Sequence, residues 1–400
     1  MKCLLITSYF PPTIGGSATV YGNIFKYGLG KVSILTIKQD RGDNKQAAPG
    51  WSESDGVYRI KHLMAPPVRC RNILQTLWVV LRYDLPVQFE VLRSTLNLIR
   101  QQKIDVVCIG ELQELGWLGV LLGMVSSVKV IIYTHGEELT TKGSSRFYGK
   151  SAKYYLDRAD GIVTVSRYTK STLIDMFDIP EDKIRLISNG VDLDGCRQDS
   201  LDNTRLDSIR RPNMALLFSV GRLIKRKGFD MAIEAMALVH KQYPDAQLVI
   251  AGEGDKQDEM KARIEELNLE GVVTMAGRLS HDELMSFYQG CDIFIMPNRQ
   301  LENGDTEGFG LVFLEANAFK KPVIGGNAGG AVDAIIQGET GLLVDGHSAA
   351  DIADAILKLL GDETLRHKMG EKGYQWALKN DVKYKVEEFL AYCESTVAGV

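Results

Sequence analysis

Short apolar runs alternating with longer amphipathic stretches, in a pattern that occurs twice along the chain, constrain this fold more than any other feature of the sequence. Runs of strand length recur at Cys3–Thr7, Val32–Ile37, Asp105–Ile109, Val128–Tyr133, Ile162–Val165 and Ile184–Ile187. Strands that are apolar on both faces, with helices between them, predict a parallel sheet covered on both sides. The pattern pauses at Gln198–Asn213, where Asp, Asn, Arg and Ser replace any apolar period and the chain reads as a linker. It restarts at Met214–Val220, Gln247–Ala251, Val272–Met275, Asp292–Met296, Pro322–Ile324 and Gly341–Val344. Helical spacing intervenes at Asp230–Tyr243, Lys256–Leu267, His281–Gln289 and Phe313–Lys320, and the chain reads as helical from Ala350 to its end. The expected architecture is α/β, with two facing doubly wound domains at 1–197 and 214–380. A linker at 198–213 joins them, and a final helix at 381–400 returns to the first domain. Ligands of open α/β sheets bind outside the carboxyl ends of the strands, so the cleft between the domains is the expected site.

Composition fits this picture and removes others. With 400 residues, 45% apolar and 24% charged, each domain can bury a core of its own, and a disordered, collagenous or disulfide-stapled chain is excluded. The six cysteines form no C-x-x-C pair, which suggests neither zinc nor a disulfide framework and fits a reducing cytosol. The longest apolar stretch, Leu115–Val125, is about half the ~20 residues that span a bilayer. Met1–Phe10 is too brief for a signal-peptide core and reads as a strand. A cytoplasmic protein is expected. Residues 1–200 carry 25 Lys and Arg against 20 Asp and Glu, whereas residues 201–400 carry 22 against 31. The first half is therefore the better candidate to meet an anionic surface or acceptor.

Three segments carry chemistry. Gly15-Gly16 follows the first strand and precedes a helix beginning near Ser17, a place where backbone N–H groups can approach an anion or simply make a tight turn. Neither this segment nor Gly252-Glu253-Gly254 completes the dinucleotide fingerprint, which disfavours a nicotinamide enzyme. Gly221-Arg222-Leu223-Ile224-Lys225-Arg226-Lys227-Gly228 comes directly after a strand, where a guanidinium fork and an ammonium can hold a diphosphate. In Glu307-Gly308-Phe309-Gly310-Leu311-Val312-Phe313-Leu314-Glu315, two glycines mark a loop-to-helix junction and a carboxylate stands at each end. Carboxylates accept hydrogen bonds from sugar hydroxyls, so Glu307 can grip a hexose and Glu315 a ribose.

E-x7-E with G-F-G inside it, preceded by G-R-x4-K-G and by a glycine-rich loop after the first strand, resembles family 4 retaining glycosyltransferases of the GT-B fold. The resemblance runs through the whole chain. It takes in His135-Gly136-Glu137, Ser166, Asn189-Gly190-Val191-Asp192, Gly325–Gly330 and Gly338-Glu339-Thr340-Gly341. It implies that Arg222 and Lys227 hold the donor diphosphate with Arg226 as helper, and that Glu307 binds donor-sugar hydroxyls. It further implies that Gly308, Phe309, Gly310 and Leu311 meet sugar and phosphate through their backbone, and that Glu315 binds the ribose. Arg278 and Leu279 would contact the nucleobase, Gly16 would donate its N–H to phosphate, and His135 would sit beside the transferred sugar.

The implied reaction moves a hexose from a nucleotide-diphosphate sugar to a hydroxyl of a glycan or lipid-linked acceptor with retention at the anomeric carbon. No metal and no cofactor beyond the donor are expected, and no nucleic-acid partner. Asp192-Leu193-Asp194 mimics a cation-binding D-x-D but stands at the linker entrance. The resemblance is to bacterial mannosyltransferases, so GDP-mannose is favoured over UDP-glucose or UDP-N-acetylglucosamine. A sugar-nucleotide epimerase and a non-catalytic nucleotide-sugar sensor remain as more distant alternatives. Arg69, Arg71, Leu74, Leu77, Trp78, Leu81 and Arg82 would share one side of a helix, a basic and apolar strip suited either to the inner face of a membrane or to packing within its own domain.

Overall fold

The computed structural model describes residues 1–38, 56–65, 72–140, 152–197 and 201–399. They form two compact units, one of Met1–Thr164, Lys170–Ile187 and Val386–Val400, the other of Val165–Thr169 and Ser188–Lys385.

The first unit is built on seven strands: β1 (Cys3–Ile6), β2 (Val32–Ile37), β3 (Val57–Ile60), β4 (Val106–Ile109), β5 (Lys129–Thr134), β6 (Gly161–Thr164) and β7 (Ile184–Leu186). All are parallel, in the order β3-β2-β1-β4-β5-β6-β7, with Cys3 opposite Val32 on one side and Val106 on the other. Every residue of β1 and β4 is buried, as their unbroken apolar character requires of a sheet covered on both faces. The order reverses between β1 and β4, so the loops after these two strands open at the switch point of the sheet.

Strand β3 has no counterpart among the apolar runs of the sequence. It lies at the edge, its four residues are only half-buried, and Arg59 within it donates to the carbonyls of Ile37 and Pro11, each at 3.2 Å. The last helix, Val382–Ala398, buries Val386, Phe389, Leu390 and Cys393. Phe389 lies 5.9 Å from the Tyr133 ring of β5, and the Tyr392 hydroxyl donates to the Lys183 carbonyl.

The second unit has six parallel strands: β8 (Ala215–Val220), β9 (Ala246–Ala251), β10 (Val273–Gly277), β11 (Ile293–Met296), β12 (Val323–Gly326) and β13 (Gly341–Val344), ordered β10-β9-β8-β11-β12-β13. Its switch point falls between β8 and β11. An aromatic cluster fills the core beneath, with Phe218 stacked on Phe287 at 5.1 Å and Phe294 edge-on to Phe313. The segment read as a linker contains the helix Thr204–Ile209, which packs on this unit through buried Leu206, while Arg205 donates to the Ala276 carbonyl. One apolar anchor in so short a helix leaves no periodic signal.

No helix among the described residues is long and apolar enough to cross a membrane. The helical stretch Ile73–Gln102, broken by a π-helical turn at Val80–Asp84, presents Leu74, Leu77, Trp78 and Leu81 each more than half exposed, with Arg82 exposed beside them. Arg69 and Arg71 lie outside the described residues.

Candidate active site

The loops leaving β8 and β11 at the switch point of the second unit are locked to one another. Gly228, at φ 76°, ends the turn Lys225–Lys227 and caps the helix Phe229–Gln242, and a Cβ there would overlap the Pro297 carbonyl just beyond β11. The Arg299 amide donates to the Arg226 carbonyl at 2.8 Å. The buried Arg226 guanidinium grips both oxygens of Asp305 at 2.8 and 3.1 Å, and Arg299 pairs with Asp230 at 2.6 Å. Arg226 thus braces the β11 loop from the β8 loop.

The next residue turns the other way. Lys227 Nζ stands 2.7 Å from Glu307 Oε2, with both side chains largely buried. Burial alone would raise the Glu307 carboxyl, but the charges of Lys227, Arg226 and Arg222 outweigh it and hold the group below the usual range, so it is ionised at neutral pH. Arg222, two residues beyond β8, is exposed. The Glu307 carbonyl is held in turn by the Gly330 amide at 2.7 Å, which gives the glycine-rich loop after β12 its place in the site.

From Glu307 the chain passes through half-buried Gly308 and buried Phe309 to Gly310, whose φ of 87° starts the helix Leu311–Ala318 without a side-chain cap. The first turn of that helix contains no acidic residue, leaving its positive end available to an anion. Glu315 lies one turn further in and accepts a hydrogen bond from the buried Tyr288 hydroxyl at 2.7 Å. Burial raises the Glu315 carboxyl, and Tyr288, His281 and Lys227 oppose the rise. The charge of Lys227 thus favours the ionised form of both glutamates. Arg278 and Leu279 follow β10, both half-buried, with the Arg278 carbonyl accepting from Arg205.

Residues 50–194 match the model described as Glycosyltransferase Family 4, and residues 203–376 match that of Glycosyl transferases group 1. The chain belongs to the family 4 glycosyltransferases. This glycosyltransferase is 28% identical over 387 residues to the "GDP-mannose-dependent alpha-(1-6)-phosphatidylinositol monomannoside mannosyltransferase" of Mycobacterium tuberculosis, a match covering 94% of this chain and 93% of the relative. It is 34% identical over 226 residues to the D-inositol 3-phosphate glycosyltransferase of Corynebacterium aurimucosum, covering 54% of this chain and 52% of that one. Among solved structures, sucrose-phosphate synthase from Thermosynechococcus elongatus superposes with a TM-score of 0.78 at 21% identity over 100% of both chains. That likeness shows the GT-B fold of the glycosyltransferase.

Gly16 and His135 belong to the first unit. Gly16 opens the helix Gly16–Tyr27 beyond β1, again with no side-chain cap and no acid in the first turn. His135 follows β5, with its backbone N–H bonded to Glu138 and its ring Nε2 2.9 Å from the Tyr21 hydroxyl. Asp192 caps the short helix Leu193–Cys196 through the Gly195 amide, and Asp194 pairs with Lys383 at 2.7 Å, so both acids of the D-x-D have local structural partners.

Sequence reasoning missed Asp305, Tyr288, Tyr21 and Glu111. The last accepts four hydrogen bonds on a single buried oxygen, from the Ser8 amide and hydroxyl, the Thr7 hydroxyl and the Tyr9 amide. None of these four residues stands in a local motif, and only tertiary proximity reveals them.

Proposed function

We propose that this glycosyltransferase moves a hexose, with mannose favoured, from a nucleotide-diphosphate donor to a hydroxyl of a glycan or lipid-linked acceptor with retention at the anomeric carbon. The observation that carries the reading is the buried Lys227–Glu307 ion pair beside an uncapped helix start, on loops fixed at a switch point. Cleaving the anomeric bond builds positive charge on the sugar and negative charge on the departing diphosphate. Arg222 and Lys227 lower the barrier by neutralising that diphosphate, aided by the N–H groups of Gly310 and Leu311. Glu307, kept ionised, holds donor-sugar hydroxyls; Glu315 holds the ribose; Arg278 and Leu279 border the base. Gly16 donates to phosphate, and His135 adjoins the transferred sugar. The acceptor hydroxyl attacks on the face the diphosphate leaves, and a phosphate oxygen takes its proton. Arg226, committed to Asp305, acts by positioning.

The GDP-mannose named for the mycobacterial relative supports mannose over glucose or N-acetylglucosamine, and its phosphatidylinositol-based acceptor supports a lipid-linked one. The exposed strip around Trp78 and Arg82 is suited to an anionic membrane face where such an acceptor resides. Thermal shift with GDP, UDP, ADP and NAD tests the donor, with mass action giving clear stabilisation only by GDP. Stabilisation by UDP alone would replace mannose by a UDP-sugar. With side chains neutralising the diphosphate, transfer is expected to survive EDTA. Sedimentation with anionic vesicles at low salt tests the membrane contact, which absence of binding would remove.

A further inference from the structure

We infer that Tyr21 is a positioning residue that fixes the tautomer of His135, so that the imidazole meets its ligand as a hydrogen-bond acceptor through Nδ1. The identity of that ligand as the transferred sugar rests on the hexosyl-transfer reading; the tautomer does not.

The assignment follows from a three-member chain at the carboxyl end of the first sheet. Tyr21, fully buried on the helix Gly16–Tyr27, donates its hydroxyl hydrogen to the Gly110 carbonyl at 2.9 Å. A carbonyl only accepts, and a phenol has one hydrogen, so toward any second partner Tyr21 presents a lone pair. That second partner is His135 Nε2, also at 2.9 Å. Nε2 must therefore bear the proton. Burial pushes the imidazole down to about 4, against the opposing charge of Glu137, so the ring is neutral and Nδ1 carries a lone pair. Nδ1 has no hydrogen-bond partner among the described residues.

Packing holds the chain in place. Tyr133 lies against the imidazole with ring centroids 5.2 Å apart and 30° between planes, while Tyr21 meets it edge-on at 76°. The Glu138 carboxyl accepts the His135 backbone N–H at 2.6 Å. Gly110 is required by the same arrangement, since a Cβ there would stand 2.8 Å from the Tyr21 hydroxyl oxygen. Gly110, at the end of switch-point strand β4, seats Tyr21, and Tyr21 seats His135 in turn, which leaves the Nδ1 lone pair for a ligand. Such a histidine receives a hydrogen bond from a sugar hydroxyl and supplies no proton to the leaving group.

The test uses the full chain labelled with [15N]histidine and long-range proton–nitrogen correlation at pH 7 without substrate, His135 being assigned with His135→Gln. The expected wild-type result is Nε2 in the protonated range and Nδ1 in the unprotonated range. In Tyr21→Phe the two resonances should converge as tautomers mix, with kcat/KM for hexose transfer falling about tenfold, the effect of one misaligned hydrogen bond. An Nδ1–H tautomer in the wild type overturns the inference. So does a Tyr21→Phe protein that keeps the wild-type resonances, or one with mixed tautomers and unaltered kcat/KM. A wild-type protein with the Nε2–H tautomer and no hexose transfer from any nucleotide sugar would remove the hexosyl-transfer reading and leave the tautomer assignment standing.

Discussion

At the scale of single residues, the buried carboxyls of the first unit make stability depend on pH in an unusual direction. Burial pushes Glu111 up to about 7 against the hydrogen bonds from Ser8 and Thr7 that lower it, and its second oxygen is buried with no partner among the described residues, where a proton is best kept. Glu138 is raised to about 7 for the same chief reason. The folded state thus holds protons that the unfolded chain releases above about 4.5, so this contribution is complete at low pH and is lost as pH rises through 7. Urea midpoints should fall between pH 5 and pH 8. Glu111→Gln keeps the four-fold acceptor oxygen and should shrink the stability difference between those two pH values by on the order of 2 kcal/mol; an unchanged difference would contradict the assignment. Residues of this kind are where the sequence is least legible. Glu307 and Glu315 announce themselves by spacing, whereas Tyr288, 27 positions upstream of its partner, and Asp305, 79 positions beyond Arg226, depend on chain crossings that no local pattern encodes.

The elements were more legible, because a strand buried on both faces must be apolar throughout. Twelve of the thirteen strands among the described residues correspond to apolar runs, and β3 escaped because an edge strand with Arg59 in it faces less of the core. The junction between Glu307 and the helix Leu311–Ala318 shows how element geometry reaches the site. Gly310 adopts a left-handed φ of 87°, and a Cβ there would come within 2.7 Å of the Phe313 ring. Gly310→Ala combines that contact with backbone strain of about 1–3 kcal/mol. It should raise the KM for donor at least tenfold, measured by steady-state transfer, while β1–β7 keep their hydrogen-exchange protection. A variant with unaltered donor KM would show that this turn does not shape the donor site.

For the molecule as a whole, the two sheets follow from the twice-repeated alternation, and the last helix illustrates what such patterning omits. Its return to the first domain was expected, but not the side chains that hold it, Phe389 against Tyr133 and Tyr392 against Lys183. Ending the chain at Lys385 removes four buried side chains, each apolar group contributing about 1.5–3 kcal/mol. Amides of β5 and β6 should then exchange markedly faster while those of β8–β13 hold; equal protection in both forms would contradict this role. The central claim is that fixed cations of the second unit neutralise a departing diphosphate, and steady-state transfer of labelled mannose from GDP-mannose by wild-type, Arg222→Ala and Lys227→Ala proteins tests it most directly. The proposed chemistry predicts that kcat falls at least about a hundredfold in each variant, and near-normal turnover in both would contradict it.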